Sequence, residues 1–268
     1  MEDFYAVIYN RKYMGLVPQN LNLLFSAGYM WRSKRFQPLI RQGYTGKVFI
    51  DSGGYQFITK FKDYHYTPKQ YIDYCLGQNP DVYASMDYPC EPEVQRKNNV
   101  TVKEQINKTI KNNITLLELN PIKKPMPVIQ GWEKEDYVYC IDELGKYGLI
   151  SDYMAIGSLC VRKNSVYPIL KEVVNNLPSW VKLHGFGMKI TNLKNRYMFE
   201  HFYSCDSMAW LFVHKLGRFY LFTGSRMIEI DSRSRVNDLE RASLSLRAYL
   251  EYINHLSSKQ RKQSKIIN

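Results

Sequence analysis

Residues 47–56 read KVFIDSGGYQ, an apolar run that ends abruptly in an acid, a serine and two glycines. An uninterrupted apolar run is typical of a strand that is covered on both faces, as in a parallel sheet. The glycines allow the backbone to turn sharply and a flat ligand to approach it closely. The stretch therefore predicts a buried strand with Asp51 at its tip.

Seven further apolar, β-rich runs resemble this one. Together the eight predicted strands span residues 4–9, 22–29, 47–51, 81–87, 126–131, 153–158, 181–187 and 201–206. Helical patterns lie between them. Two begin with capping boxes, Thr67 to Gln70 and Thr101 to Glu104, and predict helices that run to about Leu76 and Leu119. The other predicted helices span about 134–146, 167–177, 192–200 and 238–256.

Strands that alternate with helices predict βα units and a parallel sheet. Eight such units in a chain of 268 residues fit an α/β fold of the (β/α)8 TIM barrel type, with a doubly wound sheet as the rival. Polar residues end nearly every predicted strand, which favours the barrel because all its strand ends converge on one mouth. We expect a single barrel domain over residues 1–256 and a basic, flexible tail over 257–268.

The net charge is +12, from 37 Lys and Arg against 25 Asp and Glu. This balance favours a polyanionic partner, most simply nucleic acid, with a ribosomal or membrane surface as the alternative. The five cysteines are scattered and none forms a CxxC pair, which indicates a reduced cytoplasmic protein without a disulfide framework. We find no signal peptide, membrane span, P-loop or dinucleotide fingerprint, and expect no cofactor and no metal.

Asp51, Asp87 and Asp206 each end a predicted strand. An acid in that position is often only a turn or helix cap, but three that converge can shift one another's pKa values and divide acid, base and nucleophilic roles. Asp87 and Gln130 suit the edge of a nucleobase, because a carboxylate accepts from N–H groups and an amide donates to a carbonyl. His184 is interpreted as a base, a pocket wall or a purely structural residue.

The ordered motifs FIDSGGYQF, SMDYPCEP, VIQGW, AIGSL and KLHGFG, followed by an Asp at a strand end, resemble the tRNA-guanine transglycosylase superfamily. The resemblance implies a (β/α)8 barrel that exchanges guanine for a 7-deazaguanine. Carried over to this sequence, it makes Asp206 the nucleophile and Asp51 the general acid/base. The implied substrate-binding residues are Ser52, Gly53, Tyr55, Asp87, Gln130, Gly131, Gly157, Ser158, His184 and Gly185.

The enzymes that act on tRNA carry a CxCxxC…His zinc site after the nucleophile strand, and no Cys follows Cys205 here. A short, basic chain without the zinc subdomain is most similar to the DpdA-type branch, which inserts 7-deazaguanines into DNA and occurs in phages. We therefore expect a transglycosylase that replaces guanine in DNA with a free 7-deazaguanine base, in the host cytoplasm if the chain is phage-encoded. A tRNA enzyme and an inactive nucleic-acid-binding barrel remain alternatives. Candidate phosphate contacts are Lys60, Lys62, Arg162, Lys163, Arg218 and Arg226.

Overall fold

The computed structural model describes residues 1–39, 43–162, 166–232 and 236–267. An eight-stranded, all-parallel sheet curls through the middle of the molecule, in the order β6-β5-β2-β1-β10-β9-β8-β7. Its strands are β1 (Asp3–Ile8), β2 (Leu23–Ser26), β5 (Val48–Asp51), β6 (Val82–Tyr83), β7 (Val128–Ile129), β8 (Tyr153–Ile156), β9 (Lys182–Gly185) and β10 (Phe202–Ser207). Each of the eight predicted strands overlaps one of these.

Helices follow the strands. They are α1 (Ala27–Met30), α2 (Gly54–Phe61), α3 (Pro68–Gln78), α4 (Pro92–Asn98), α5 (Val102–Glu118), α6 (Lys134–Lys146), α7 (Val166–Asn175), α8 (Arg196–His201), α9 (Ala209–Phe212) and α10 (Asp238–Ile267). Short 3-10 helices span Arg11–Leu16, Ile190–Lys194 and Val213–Leu216. Two small hairpins complete the fold, β3 (Trp31–Arg32) with β4 (Arg35–Phe36) and β11 (Arg218–Phe222) with β12 (Met227–Asp231).

The two edge strands of the sheet, β6 and β7, come together. Ala84 and Met126 form an isolated parallel bridge just beyond β6 and just before β7. The amide of Met126 donates to the carbonyl of Tyr83 and that of Ser85 to the carbonyl of Met126, both at 2.8 Å. The sheet is therefore curled far enough for its two ends to exchange backbone hydrogen bonds.

Alternate residues along the strands pack into two separate apolar clusters. Side chains that include Tyr5, Leu24, Phe49 and Val128 form a small cluster on the inner face of the curled sheet. Their neighbours in sequence, such as Ile50, join the large cluster beneath the helices. Because both faces are buried, the strands read as continuous apolar runs, and this is why they were recognisable in the sequence.

Both predicted capping boxes are present. The hydroxyl of Thr101 accepts from the amide of Glu104 and the Glu104 carboxylate accepts from the amide of Thr101, at 3.2 and 2.7 Å. Thr67 and Gln70 repeat this arrangement at the start of α3. At the other end of the chain, α10 continues to Ile267, well past the predicted end near Leu256, so the basic tail extends the helix. No helix in the described residues is long and apolar enough to cross a membrane.

Replacing Thr101 by Ala should lower the free energy of unfolding by about 1 kcal/mol, because the first turn of α5 loses the acceptor for the Glu104 amide. Urea denaturation measures this change. The exposed Lys111→Ala substitution in the middle of the same helix is the control, and it should change the free energy by less than about 0.5 kcal/mol. Equal effects of the two substitutions would contradict a capping role for Thr101.

Candidate active site

Asp51 ends β5 and is followed by a turn that only glycine fits. Gly53 has a φ of 72° and begins α2, and its amide donates to Oδ1 of Asp51 at 2.6 Å. A Cβ on Gly53 would lie 2.6 Å from the Cα of Gly28, so no side chain fits between the two turns. The DSGG motif thus serves two purposes, since it starts a helix at once and aims a backbone donor at the acid.

Asp51 is partly enclosed at the carboxyl end of the sheet. Burial raises the pKa of its carboxyl to about 7, against hydrogen bonds from Ser26 and Gly53 that favour the ionised form. The negative charges of Asp206 and Asp87 contribute a smaller part of this net upward shift. This coupling places the three strand-end acids predicted from the sequence around one site.

Asp87 and Gln130 follow the two edge strands of the sheet and bond directly to each other. Nε2 of Gln130 donates to Oδ2 of Asp87 at 2.5 Å, and the hydroxyl of Ser52 donates to Oδ1 at 2.9 Å. Burial raises the pKa of Asp87, while these two donors oppose the shift. The backbone carbonyl of Asp87 accepts from the hydroxyl of Tyr64 at 2.6 Å, which fixes the loop after β6.

The loop after β8 holds the other side of Gln130. The hydroxyl of Ser158 lies 2.8 Å from Oε1 of Gln130, and Ser158 has a φ of 54°. A Cβ on Gly157 would collide with the Gln130 amide, so that glycine is needed for the contact. The close approach that Gly131 permits is to Tyr137 of α6, whose amide would lie 2.8 Å from an added Cβ.

Asp206 lies on β10 and is only 4% exposed. Its Oδ1 accepts from Nε2 of His184 at 3.1 Å and from the amide of Gly187 at 2.9 Å. Gly187 is the last residue of the KLHGFG motif after β9. Its φ of 61° lies in the left-handed region, which favours glycine. Gly185 lies beneath this turn, where an added Cβ would come within 2.8 Å of the Phe202 ring. Both donors reach the same oxygen, so Oδ2 is the oxygen that projects away from them.

A buried chain of hydrogen bonds extends from His184 to Ser204 and Tyr153. Its Nδ1 lies 2.6 Å from the hydroxyl of Ser204, which in turn lies 2.5 Å from the hydroxyl of Tyr153. An ionised Asp206 can only accept, so Nε2 carries the proton in the neutral ring and Nδ1 accepts from Ser204. Tyr153 then donates to Ser204. The chain fixes one tautomer of a histidine that is fully buried.

Sequence reasoning missed Ser204, Tyr153 and Glu91. Ser204 is in β10 and Tyr153 is in β8, and neither has an unusual spacing in the sequence. Ser204 does lie two residues before Asp206 and therefore shares its face of the strand. Glu91 is 3% exposed and lies in the same loop as Asp87, with Oε2 3.1 Å from the Ser158 hydroxyl. Burial raises its pKa. A charged residue between two prolines, as in PCEP (89–92), was the available signal.

Tyr55 lies at the start of α2 and is 40% exposed. Partial burial, with smaller contributions from the nearby Cys160 and Glu91, raises its pKa to about 12. Its ring therefore lies at the edge of the site, on the side of Glu91. This placement is compatible with the substrate-binding role that the resemblance implies.

The candidate phosphate contacts are placed very differently from one another. Lys60 and Lys62 are exposed at the end of α2. Arg162 is buried instead, with its guanidinium 4.0 Å from the Trp132 ring and its Nε bonded to the Ser158 carbonyl, so it holds the loop after β8 rather than a phosphate. Arg218 pairs with Glu229 across the β11–β12 hairpin. The remaining two are Arg226, exposed in the turn of that hairpin, and Lys163, which is outside the described residues.

Within the described residues, no group of three or more His, Cys, Asp or Glu side chains is arranged to hold a metal ion. The region after Asp206, where the tRNA enzymes carry their zinc subdomain, contains α9, the β11–β12 hairpin and α10. These elements pack on one another through α10 and β11, with Tyr220 against Tyr249.

Replacing Asp51 by Asn should make the pH dependence of stability shallower. A carboxyl with a pKa of about 7 in the folded state and about 4 when unfolded keeps its proton in the native state between these values. The wild-type protein therefore loses stability as the pH rises from 4 to 7, whereas Asn cannot titrate. Urea denaturation at pH 5 and 7.5 should show the Asn variant gaining about 1–3 kcal/mol relative to wild type. A difference that is the same at both pH values would contradict the burial of this carboxyl.

A family comparison agrees with this geometry. The model of the DpdA family, DeoxyPurine in DNA protein A, matches residues 24–218, which include Asp51, Asp87, Gln130, His184 and Asp206. No curated protein matches the chain. Since the match covers more than half of the sequence, the chain belongs to the DpdA family, and this membership implies a transglycosylase-type enzyme that modifies DNA with 7-deazaguanine bases.

Proposed function

We propose that this protein replaces guanine in DNA with a free 7-deazaguanine base, such as 7-cyano-7-deazaguanine, through a covalent intermediate on Asp206. The observation that carries the proposal is that both hydrogen-bond donors to that carboxylate reach the same oxygen. His184 and Gly187 both donate to Oδ1, which stabilises the anion and leaves Oδ2 to act as the nucleophile.

In the first step, Oδ2 of Asp206 attacks C1′ of the target nucleotide while the bond from C1′ to N9 breaks. The departing guanine takes the electron pair of that bond and a proton from Asp51. A carboxyl whose pKa is about 7 holds this proton in a large fraction of molecules at neutral pH, which suits a general acid.

In the second step, N9 of the incoming base attacks C1′ and the ester bond to Asp206 breaks. Asp51, now ionised, accepts the proton from N9, and Asp206 is released as a carboxylate. Two displacements at C1′ retain its configuration, by the logic of retaining glycosidases. Both acids return to their starting protonation states, so no further reactant is required.

Asp87 and Gln130 supply the recognition of both bases. The carboxylate of Asp87 accepts from the ring and exocyclic N–H groups of the guanine edge, and the second N–H of Gln130 donates to the carbonyl O6. The hydroxyl of Ser52 and the contact with Ser158 hold these side chains in place. Guanine and a 7-deazaguanine share this edge, so one pair of residues reads the leaving and the entering base.

We also propose that the curled sheet closes into a complete (β/α)8 barrel that forms one domain. The bridge between Ala84 and Met126 supports closure, as does the inner cluster in which Ala84 and Val128, from opposite edges of the sheet, are both members. In a closed barrel the target nucleotide reaches the site only after it leaves the base stack, at a cost of a few kcal/mol.

Asp206→Asn should abolish base exchange and the covalent adduct with DNA. The test measures incorporation of labelled guanine, or of 7-cyano-7-deazaguanine by mass spectrometry of nucleosides, into duplex DNA and into tRNA side by side. The exposed Asp142→Asn in α6 is the control and should react at the wild-type rate. Turnover by the Asp206 variant would overturn the mechanism, and incorporation into tRNA alone would overturn the choice of DNA.

Ser204→Ala should lower kcat by at least about tenfold and leave KM for the base nearly unchanged, because His184 loses the donor that fixes its tautomer while the base-reading residues stay in place. Tyr153→Phe, one step further from Asp206, should have a smaller effect. His184→Gln retains an N–H near Asp206 and should be more active than His184→Leu. A fall in kcat accompanied by a comparable rise in KM would contradict a positioning role for this chain of hydrogen bonds. Equal activity of the two His184 variants would contradict it as well.

A further inference from the structure

The first 50 residues contain a long basic stretch. Residues 4–50 include no Asp or Glu, although the whole chain has 25. The cations in this stretch are Arg11, Lys12, Arg32, Lys34, Arg35, Arg41 and Lys47. Lys47 pairs with Asp3 and Arg41 lies outside the described residues. The other five, which we call the basic rim, are exposed, and none forms an ion pair with any residue that the structure describes.

The basic rim lies on the same side of the sheet as the candidate active site. Arg11 and Lys12 are in the 3-10 helix that follows β1, and the other three are in the β3–β4 hairpin that follows β2 by way of α1. Strands β1, β2 and β5 are adjacent and parallel, so their carboxyl ends share one edge. Asp51 is the last residue of β5 and lies at that edge.

The hairpin is anchored to the catalytic turn. Trp31 and Phe36 pair with each other across it and both pack on Tyr66, with ring centroids 5.3 and 4.7 Å away. The hydroxyl of Tyr66 donates to the carbonyl of Ser52, the residue next to Asp51. The side chain of Arg11 joins the two parts of the rim, because its Nη2 donates to the carbonyl of Pro38 at 2.9 Å.

The hairpin tip has a composition that its own stability does not explain. Ser33 and Lys34 have φ values of 50° and 59°, a conformation that Asn-Gly sequences adopt far more readily. The tip also places Arg32, Lys34 and Arg35 close together, where their charges repel. Strain and repulsion at one site are expected where a polyanion supplies the missing counter-charges.

Two tyrosines connect the rim to Asp51. Tyr9 follows β1 and Tyr29 is in α1, and their ring centroids lie 5.5 Å apart. Tyr29 hydrogen-bonds to Gln56 and lies close enough to Asp51 for the carboxylate to raise its pKa. Nζ of Lys215 lies 4.5 Å from the Tyr9 ring. Partly exposed rings beside cations are the combination with which proteins bind an unpaired strand.

We propose that the basic rim binds the phosphate backbone of the DNA strand next to the nucleotide that enters the active site. This inference rests on the proposed function, which requires a DNA strand to be held while one nucleotide leaves the stack. It also moves the main phosphate contacts away from Lys60, Lys62 and Arg218 to the loops after β1 and β2. The tyrosine pair lies between the phosphates and Asp51, where it can stack on a base.

The test compares two triple substitutions that remove the same charge. The rim variant carries Arg32→Gln, Lys34→Gln and Arg35→Gln. The control carries Lys124→Gln, Lys146→Gln and Lys182→Gln, exposed residues that precede or begin β7, β8 and β9 at the amino ends of the strands. Fluorescence anisotropy with a labelled DNA duplex, and separately with tRNA, measures affinity at several salt concentrations, and base exchange gives kcat and KM for DNA.

The rim variant should bind DNA at least about tenfold more weakly, and the slope of log affinity against log salt should fall by about 2–3. Its KM for DNA should rise while kcat at saturating DNA stays within about twofold of wild type, whereas the control changes neither. Equal losses in both variants, or rim-dependent binding of tRNA alone, would overturn the inference. If the rim substitutions weaken DNA binding but the wild-type protein exchanges no base, the basic rim is supported and the proposed function is rejected.

Discussion

The hydrogen bond between Asp87 and Gln130 connects the two ends of the sheet. Asp87 follows β6 and Gln130 follows β7, the strands at the opposite edges of the strand order. The same bond holds the amide and the carboxylate side by side, which is the arrangement that a guanine edge requires. A sheet that uncurled at this point would separate Asp87 from Gln130, so the base recognition proposed above depends on the same curl that the backbone bonds between Tyr83, Ser85 and Met126 maintain.

Around this contact the molecule concentrates carboxyl groups in a confined space. Asp51, Asp87 and Glu91 all have raised pKa values because burial disfavours their ionised forms. Asp206 is also buried, and one of its two oxygens receives both a backbone amide and an imidazole N–H. Asp51 and Asp206 each receive two donors, so in the proposed mechanism the convergence of both donors on one oxygen of Asp206, and not their number, distinguishes the nucleophile from the proton donor.

The strands were predictable because burial on both faces leaves a signal in every residue, as in Val48, Phe49 and Ile50. The capping boxes at Thr67 and Thr101 were predictable because each depends only on residues three positions apart in the sequence. Helix α2 was missed because it begins inside the DSGG turn, whose glycines indicate a loop when read alone. The β3–β4 hairpin was missed because Ser33 and Lys34 lack the glycine that usually identifies such a turn.

Contacts between distant residues were harder to predict than local ones. Nothing near Ser204 indicates that its hydroxyl meets His184 on the neighbouring strand, since the register of β9 and β10 decides this and shifts between Phe202 and Ser204. Arg162 was expected at a phosphate because the sequence shows its charge but not its contact with Trp132. In both cases the role of a side chain depends on which strand or loop lies beside its own. A sequence motif points to the acids of such a site, and the Gly53 donor to Asp51 lies in the same motif, but the donors to Asp206 come from a neighbouring strand and its turn, which only the parallel register brings beside it.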